Sequence, residues 1–239
     1  MKAQVSIFII IAVVLVFGLA LFFLLRPPLE KNISPEVKEI HDFVQGCVAT
    51  TAEDAAYQIG ETGGYFYSPN LSVENIAYYY YEEQFFVPTK EIIEDEIEKY
   101  IDTMLYFCTE NFASLPQYEI GQEKIETKAV IDDDGVFIEI IYPLSIRKEE
   151  QTFSLEEFSY IVDARLEEIL LLINEIEESQ KLDTKGWCIN CISNAAEEHD
   201  MYIHMKDYDE ETILFYVIDE QSRVKEDAYV YKFAHRYEN

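Results

Sequence analysis

The residues with the clearest chemical potential in this 239-residue chain are the cysteines of Trp187-Cys188-Ile189-Asn190-Cys191. Two cysteines separated by two residues can close a short local disulfide, exchange it with another thiol, or form half of a metal site. A helix beginning here would favour the thiolate, because its first peptide N–H groups point at the sulfur. A staple across a turn is the simplest reading of the pair, and thiol–disulfide exchange through Cys188 and Cys191 is the alternative.

Cys188, Cys191, His199 and His204 also follow a C-x2-C-x7-H-x4-H spacing. A cysteine hook of this kind binds zinc in many small modules, which leaves a zinc-stabilised binding module as a third reading. The histidine arm is too close to the hook for a usual finger, and His204 is expected on a strand, so the four need not converge. No metal or cofactor is expected. Tryptophan before a CxxC resembles thioredoxin-like sites, but that fold places the motif after an early strand at the head of a long helix. Here it falls late, between two helical patterns.

Cys47 and Cys108 each lie on the apolar stripe of a helical pattern. Packed side by side, two such helices could join them in a disulfide; buried free thiols remain open. Asp132-Asp133-Asp134-Gly135 lacks the alternating acids and distal glutamate of a calcium loop and reads as a hairpin turn. The run Tyr78 to Tyr81 at strand spacing sends two rings to the core and two outward. No G-x-S-x-G, H-E-x-x-H or phosphate-cradling glycine loop is present, so no catalytic residue is assigned.

The elements that must hold these residues begin at Ser34-Pro35-Glu36, which has the chemistry of a helix start. Val37, Ile40, Val44, Cys47, Val48, Thr51 and Ala55 follow on one face, and the pattern ends near Gly60. Strand-like runs follow at Tyr65–Tyr67, Ile76–Tyr81 and Gln84–Val87. Thr89 caps a second helix with Ile93, Ile97, Tyr100 or Ile101, Met104, Cys108 and Phe112 inward. Beyond Tyr118 the period becomes two. Ile125–Ile131 and Val136–Ile146 form a hairpin, Phe153–Val162 a third strand, Leu166–Ile176 a third helix and Trp187–His199 a short fourth. Met201–Lys206, Thr212–Ile218 and Ala228–Phe233 close the chain as strands. Blocks of strands and helices, without strict alternation, predict an α+β fold with a mainly antiparallel sheet and several amphipathic helices on one side.

The chain carries 18 basic and 47 acidic residues. All the acids follow Arg26, and Lys2 and Arg26 lie outside the domain, so the domain has a net charge of −31. Such a surface repels nucleic acid and anionic lipid headgroups, and neither is expected as its partner. Val5–Leu25 holds no charge and only Ser6 as a polar side chain. As a helix it spans roughly 30 Å, the thickness of a bilayer's hydrocarbon core. The lipid bilayer is therefore the expected partner of this segment. An even cysteine count, with sequons at Asn32 and Asn70, places the rest outside the cytoplasmic membrane.

The start, Met1-Lys2-Ala3-Gln4-Val5-Ser6, resembles the leader of archaeal type IV pilin-like proteins, the class III signal. In that family a basic and a small residue precede the cut, glutamine follows it, serine comes two positions on, and an apolar helix continues. Lys2, Ala3, Gln4 and Ser6 match in turn, which implies cleavage between Ala3 and Gln4 by a prepilin-type peptidase. Many pilins carry glutamate at the fifth mature position, where this chain has Phe8. Their first helix runs on past the membrane, whereas Pro27-Pro28 stops this one. The chain is also similar to membrane-anchored archaeal proteins that share this leader, a likeness that implies no activity.

Together these features divide the chain into a leader and anchor (1–26), a linker (27–34) and an acidic extracytoplasmic domain (35–239). The expected role is non-enzymatic: a cell-surface protein with a structural or interaction function, with other envelope or pilus-like proteins as partners.

Overall fold

The computed structural model describes residues 34–35, 37–182 and 188–237. The described residues from Glu39 onward belong to one compact unit. The anchor Val5–Leu25, the cleavage point Ala3–Gln4, the sequon asparagine Asn32 and Trp187 lie outside the described residues. Among the described residues no helix is long and apolar enough to cross a membrane.

After Ser34, whose carbonyl accepts the Val37 N–H at 3.0 Å, the chain coils into α1 (Lys38–Thr62), which buries Ile40, Val44, Val48, Ala52, Ala55, Ala56 and Ile59. The small residues let the helix lie close against a strand: a Cβ on Gly60 would sit 2.4 Å from the Val230 carbonyl. Gly63 and Gly64, both at positive φ, end it, and the Gly64 N–H returns to the Ile59 carbonyl at 2.9 Å. This six-to-one closure is the bond expected of a glycine-terminated helix. Tyr65–Tyr67, expected as a strand, is irregular. The Phe66 N–H is taken by Glu96 at 2.9 Å instead of by a neighbouring strand.

Thr89 caps α2 (Lys90–Thr109) as expected, accepting the Ile92 N–H. The buried stripe is Ile93, Ile97, Ile101 and Leu105. Leu105 stands where the sequence suggested Met104, because the stripe steps strictly by four. α3 (Leu166–Leu182) and α4 (Ile189–Glu198) complete the described helices.

The strands form two sheets instead of the single one expected. The larger holds β1 (Ser72–Val73), β2 (Ile76–Tyr81), β3 (Gln84–Phe85), β8 (Tyr202–Asp207), β9 (Thr212–Val224) and β10 (Asp227–Arg236). Its order is β1-β2-β10-β9-β8, with β3 also on β2, and β2–β10 is parallel among otherwise antiparallel pairs. The smaller holds β4 (Glu119–Gln122), β5 (Glu126–Asp132), β6 (Gly135–Lys148) and β7 (Gln151–Val162). β4 and β5 pair with successive stretches of β6, and β7 pairs with the same strand along its length. Asp133 and Asp134 form the expected turn. Gly135, at φ +133°, faces the Val162 carbonyl where a Cβ would come to 2.6 Å.

A register shift in the β2–β10 ladder, where Ala234 opposes Tyr78 and His235 opposes Tyr80, leaves Tyr79 as an extra residue. The bulge sends Tyr79 and Tyr80 to one face and Tyr78 and Tyr81 to the other. Tyr79 stacks on Phe233 and Tyr80 lies against His235. Tyr78 packs with Leu214, Ala234 and Tyr81 on the far face. Two rings do face each way, but the neighbours Tyr79 and Tyr80 share one face, and Tyr78, Tyr79 and Tyr80 are all buried.

Candidate functional site

The structure pairs Cys47 with Cys108 and Cys188 with Cys191, and no cysteine is free. The first bond joins α1 to α2 with Cα atoms 5.7 Å apart, and Cys47 is buried. The second lies at the head of α4, with Cα atoms 5.0 Å apart and both residues exposed. Cys188 occupies the N-cap, and its Sγ accepts the Cys191 N–H at 3.2 Å. The peptide dipoles of α4 place partial positive charge at this sulfur, which favours Cys188 as a thiolate once the bond opens.

The residues that follow these cysteines on one side of α4 turn inward. Ile192 and Ala196 are buried on the inner side of α4, and the Met201 N–H closes the helix end on the Ala196 carbonyl at 2.9 Å. A groove of about 770 Å³ runs between α4 and β8. Its apolar floor is Ile189, Ile192, Ala196, Ile203 and Met205, and its rim carries Glu197, Asp200 and Glu220. Ile189, the residue after Cys188, is 64% exposed. Sequence reasoning found the cysteines but not the groove. Its only signal was the alternation of Ile203 and Met205 in β8, which reads equally well as core.

Comparison with protein-family models, with curated proteins and with solved structures returns no match. The chemistry must therefore be argued from the side chains themselves.

The zinc arrangement does not assemble. Cys188 and Cys191 are bonded to each other. His199 sits at the far end of α4 with Nδ1 2.7 Å from Glu168 Oε1. His204 lies on the other face of the larger sheet beside Tyr216, ring centroids 5.7 Å apart. Among the described residues no three His, Cys, Asp or Glu side chains are grouped to hold a metal. Asn70 is exposed just before β1.

Two buried polar clusters escaped the sequence reading. At a second bulge, in β9, Asp219 accepts from Arg165 through Nε at 3.0 Å and Nη2 at 2.6 Å, from the Gln221 N–H at 3.0 Å, and from the Ser222 hydroxyl. Burial alone would push this carboxyl up, but these donors outweigh it and hold Asp219 below the usual carboxylate range. The Arg165 N–H and the Arg223 N–H complete a joint between the two sheets, bonding the Ser222 hydroxyl and the Asp163 carbonyl. His235, wholly buried, contacts Glu177 Oε1 at 2.6 Å and the Tyr237 hydroxyl at 2.9 Å. Asp219 had a visible signal: with Phe215 and Val217 it shares the inward parity of β9. These clusters are enclosed between elements and position the fold. The CxxC and its groove face solvent.

A second depression, about 680 Å³, lies on the outer face of the larger sheet between Tyr57, His204, Tyr216 and Lys232. Lys225 lies over the Tyr57 ring at 4.6 Å and Lys232 over Tyr216 at 5.5 Å. Both lysines also pair with acids, Asp54 and Glu61, at 2.5 and 2.6 Å. The cations here are thus already satisfied from within.

Proposed function

We propose that the chain is a single-pass, membrane-tethered protein of an archaeal cell surface, with residues 35–239 displayed outside the cytoplasmic membrane in a structural or binding role. The observation that supports this reading most is the pairing of all four cysteines, one pair joining two helices through residues 61 apart in sequence. Disulfides form and persist in oxidising spaces outside the cytoplasm. The uncharged run Val5–Leu25 provides an anchor of the right length. The pattern Lys2-Ala3-Gln4 with Ser6 supports prepilin-type processing and company among pilus-like envelope proteins. The acidic surface keeps a displayed domain soluble and clear of anionic headgroups.

The test uses the full chain in intact cells. Added protease removes the domain without opening the membrane, the purified protein lacks the mass of Met1 to Ala3, and alkylation without reduction labels no cysteine. A domain protected until the membrane is opened overturns the placement. An unprocessed N-terminus leaves a signal anchor and removes the pilin-like part of the reading.

A further inference from the structure

Sheet edges decide where an extended chain can join this molecule. The β5 edge is closed by α2: Glu94 accepts the Ile131 N–H at 2.9 Å and Glu98 the Ala129 N–H at 3.0 Å. The β7 edge lies beside α1, where Gln45 donates to the Ser159 carbonyl at 2.8 Å. On the far side of the larger sheet, β1 and β3 are only two residues long, too short to template a partner. β8 differs. Six residues long, it ends the larger sheet, and among the described residues its one strand partner is β9.

We propose that the groove between α4 and β8 receives an extended, reduced, cysteine-bearing segment of another surface protein, which pairs with the edge of β8 and exchanges thiols with the Cys188–Cys191 disulfide. The edge supplies main-chain hydrogen bonds, and the floor of Ile192, Ile203 and Met205 takes alternate apolar side chains. The acidic rim of Glu197, Asp200 and Glu220 selects a segment carrying lysine or arginine. Beside the groove stands an exposed S–S bond with its N-terminal sulfur at a helix head.

The exchange proceeds in two displacements. A partner thiolate attacks Cys188 Sγ; the S–S bond breaks, and its electron pair leaves on Cys191, which takes a proton from water. The partner's second thiolate then attacks the partner sulfur of the mixed disulfide. The bond to Cys188 breaks and Cys188 leaves as a thiolate, held by the Cys191 N–H and the helix dipole. One partner dithiol becomes a disulfide and two electrons pass to the Cys188–Cys191 pair; no other oxidant enters the turnover.

The proposal rests on the outward placement only for where the partner is met. The experiment is done in solution, so its failure and a failure of placement are separable. The full chain, purified in detergent without reductant, is mixed with a reduced synthetic peptide bearing two cysteines, alternating valines and two lysines. Acid-quenched mass spectrometry follows both molecules. The expected result is one peptide disulfide per chain, with Cys188 and Cys191 becoming alkylatable while Cys47 and Cys108 do not. N-methylation of alternate peptide amides, which removes edge pairing without altering the protein, slows exchange at least about tenfold. Ile203→Glu, which puts a charge on the apolar floor, slows exchange with the peptide to the same degree. Cys191→Ser, given the oxidised peptide, retains it on Cys188. A bond that resists the peptide, or N-methylated and unmethylated peptides that react equally fast, overturns the proposal and leaves the pair as a staple.

Discussion

Two glycines of α1 carry opposite expectations. Gly46 is exposed, and a Cβ added there would meet no atom within 4 Å, so Gly46→Ala gains the helix propensity of alanine, up to about 1 kcal/mol. Gly60 gains the same propensity, but its Cβ would meet the Val230 carbonyl at 2.4 Å and the Tyr229 ring at 3.1 Å. Backbone cannot give way as a side chain can, so Gly60→Ala loses roughly 2 kcal/mol net. Denaturant melts of the two variants should move in opposite directions. At Asp219 the charge itself is the contribution. Its folded pKa is depressed, so the stabilisation is complete above the unfolded value near 4 and fades as pH falls through the folded one. Asp219→Asn costs roughly 3 kcal/mol at neutral pH, since it leaves Arg165 facing a neutral amide. The gap between the variant and the parent narrows as pH falls through the folded value, which a series of urea melts from neutral pH into acid would read.

At the scale of elements, what the sequence revealed was whatever a single element decides for itself. The Thr89 cap, the four-residue stripe of α2 and the period of two in β6 are local properties, and each is found in the structure. The separation into two sheets was not legible, because it depends on which element closes which edge. Glu94 and Glu98 look like ordinary solvated acids on a polar helix face. Only beside β5 do they become acceptors, four residues along the helix matching two along the strand, about 6 Å against about 6.8 Å. The β2 bulge was hidden for a similar reason: Tyr78 to Tyr81 gives no hint of which ring breaks the alternation, and the parallel partner β10 decides it. The Cys47–Cys108 bond is the element-scale feature with the largest expected effect. Replacing both cysteines by alanine removes a covalent loop of 61 residues, worth about 4 kcal/mol in the chain-entropy model. The double variant should show a lower midpoint in urea, and added reductant, which opens both bonds of the parent but only Cys188–Cys191 in the variant, should lower the parent by more.

For the whole molecule, the 18 tyrosines make alkaline pH a probe of packing. Burial holds Tyr79, Tyr229 and Tyr231 above their ordinary value. The hydrogen bond to Glu53 pushes Tyr160 up to about 12. A raised folded pKa means these rings stabilise the fold fully below about pH 10, the unfolded value, and lose that contribution as pH rises through the folded one. Phenolate absorbance should therefore climb in two stages, the second coinciding with loss of circular dichroism; a single stage before unfolding would mean the interior rings are open to hydroxide. The same architecture has a mechanical side. If tension runs from a membrane tether before α1 to a partner gripping the C-terminal strand, it passes from Cys47 directly to Cys108. The 60 residues between them, with β1, β2, β3 and most of α2, stay off the force path. About 200 Å of slack at full extension is thus locked behind one sulfur–sulfur bond. Pulled in a force spectrometer, the oxidised domain should lengthen by that much less than the reduced one, so the redox state of the surroundings would set how far the domain stretches before it lets go.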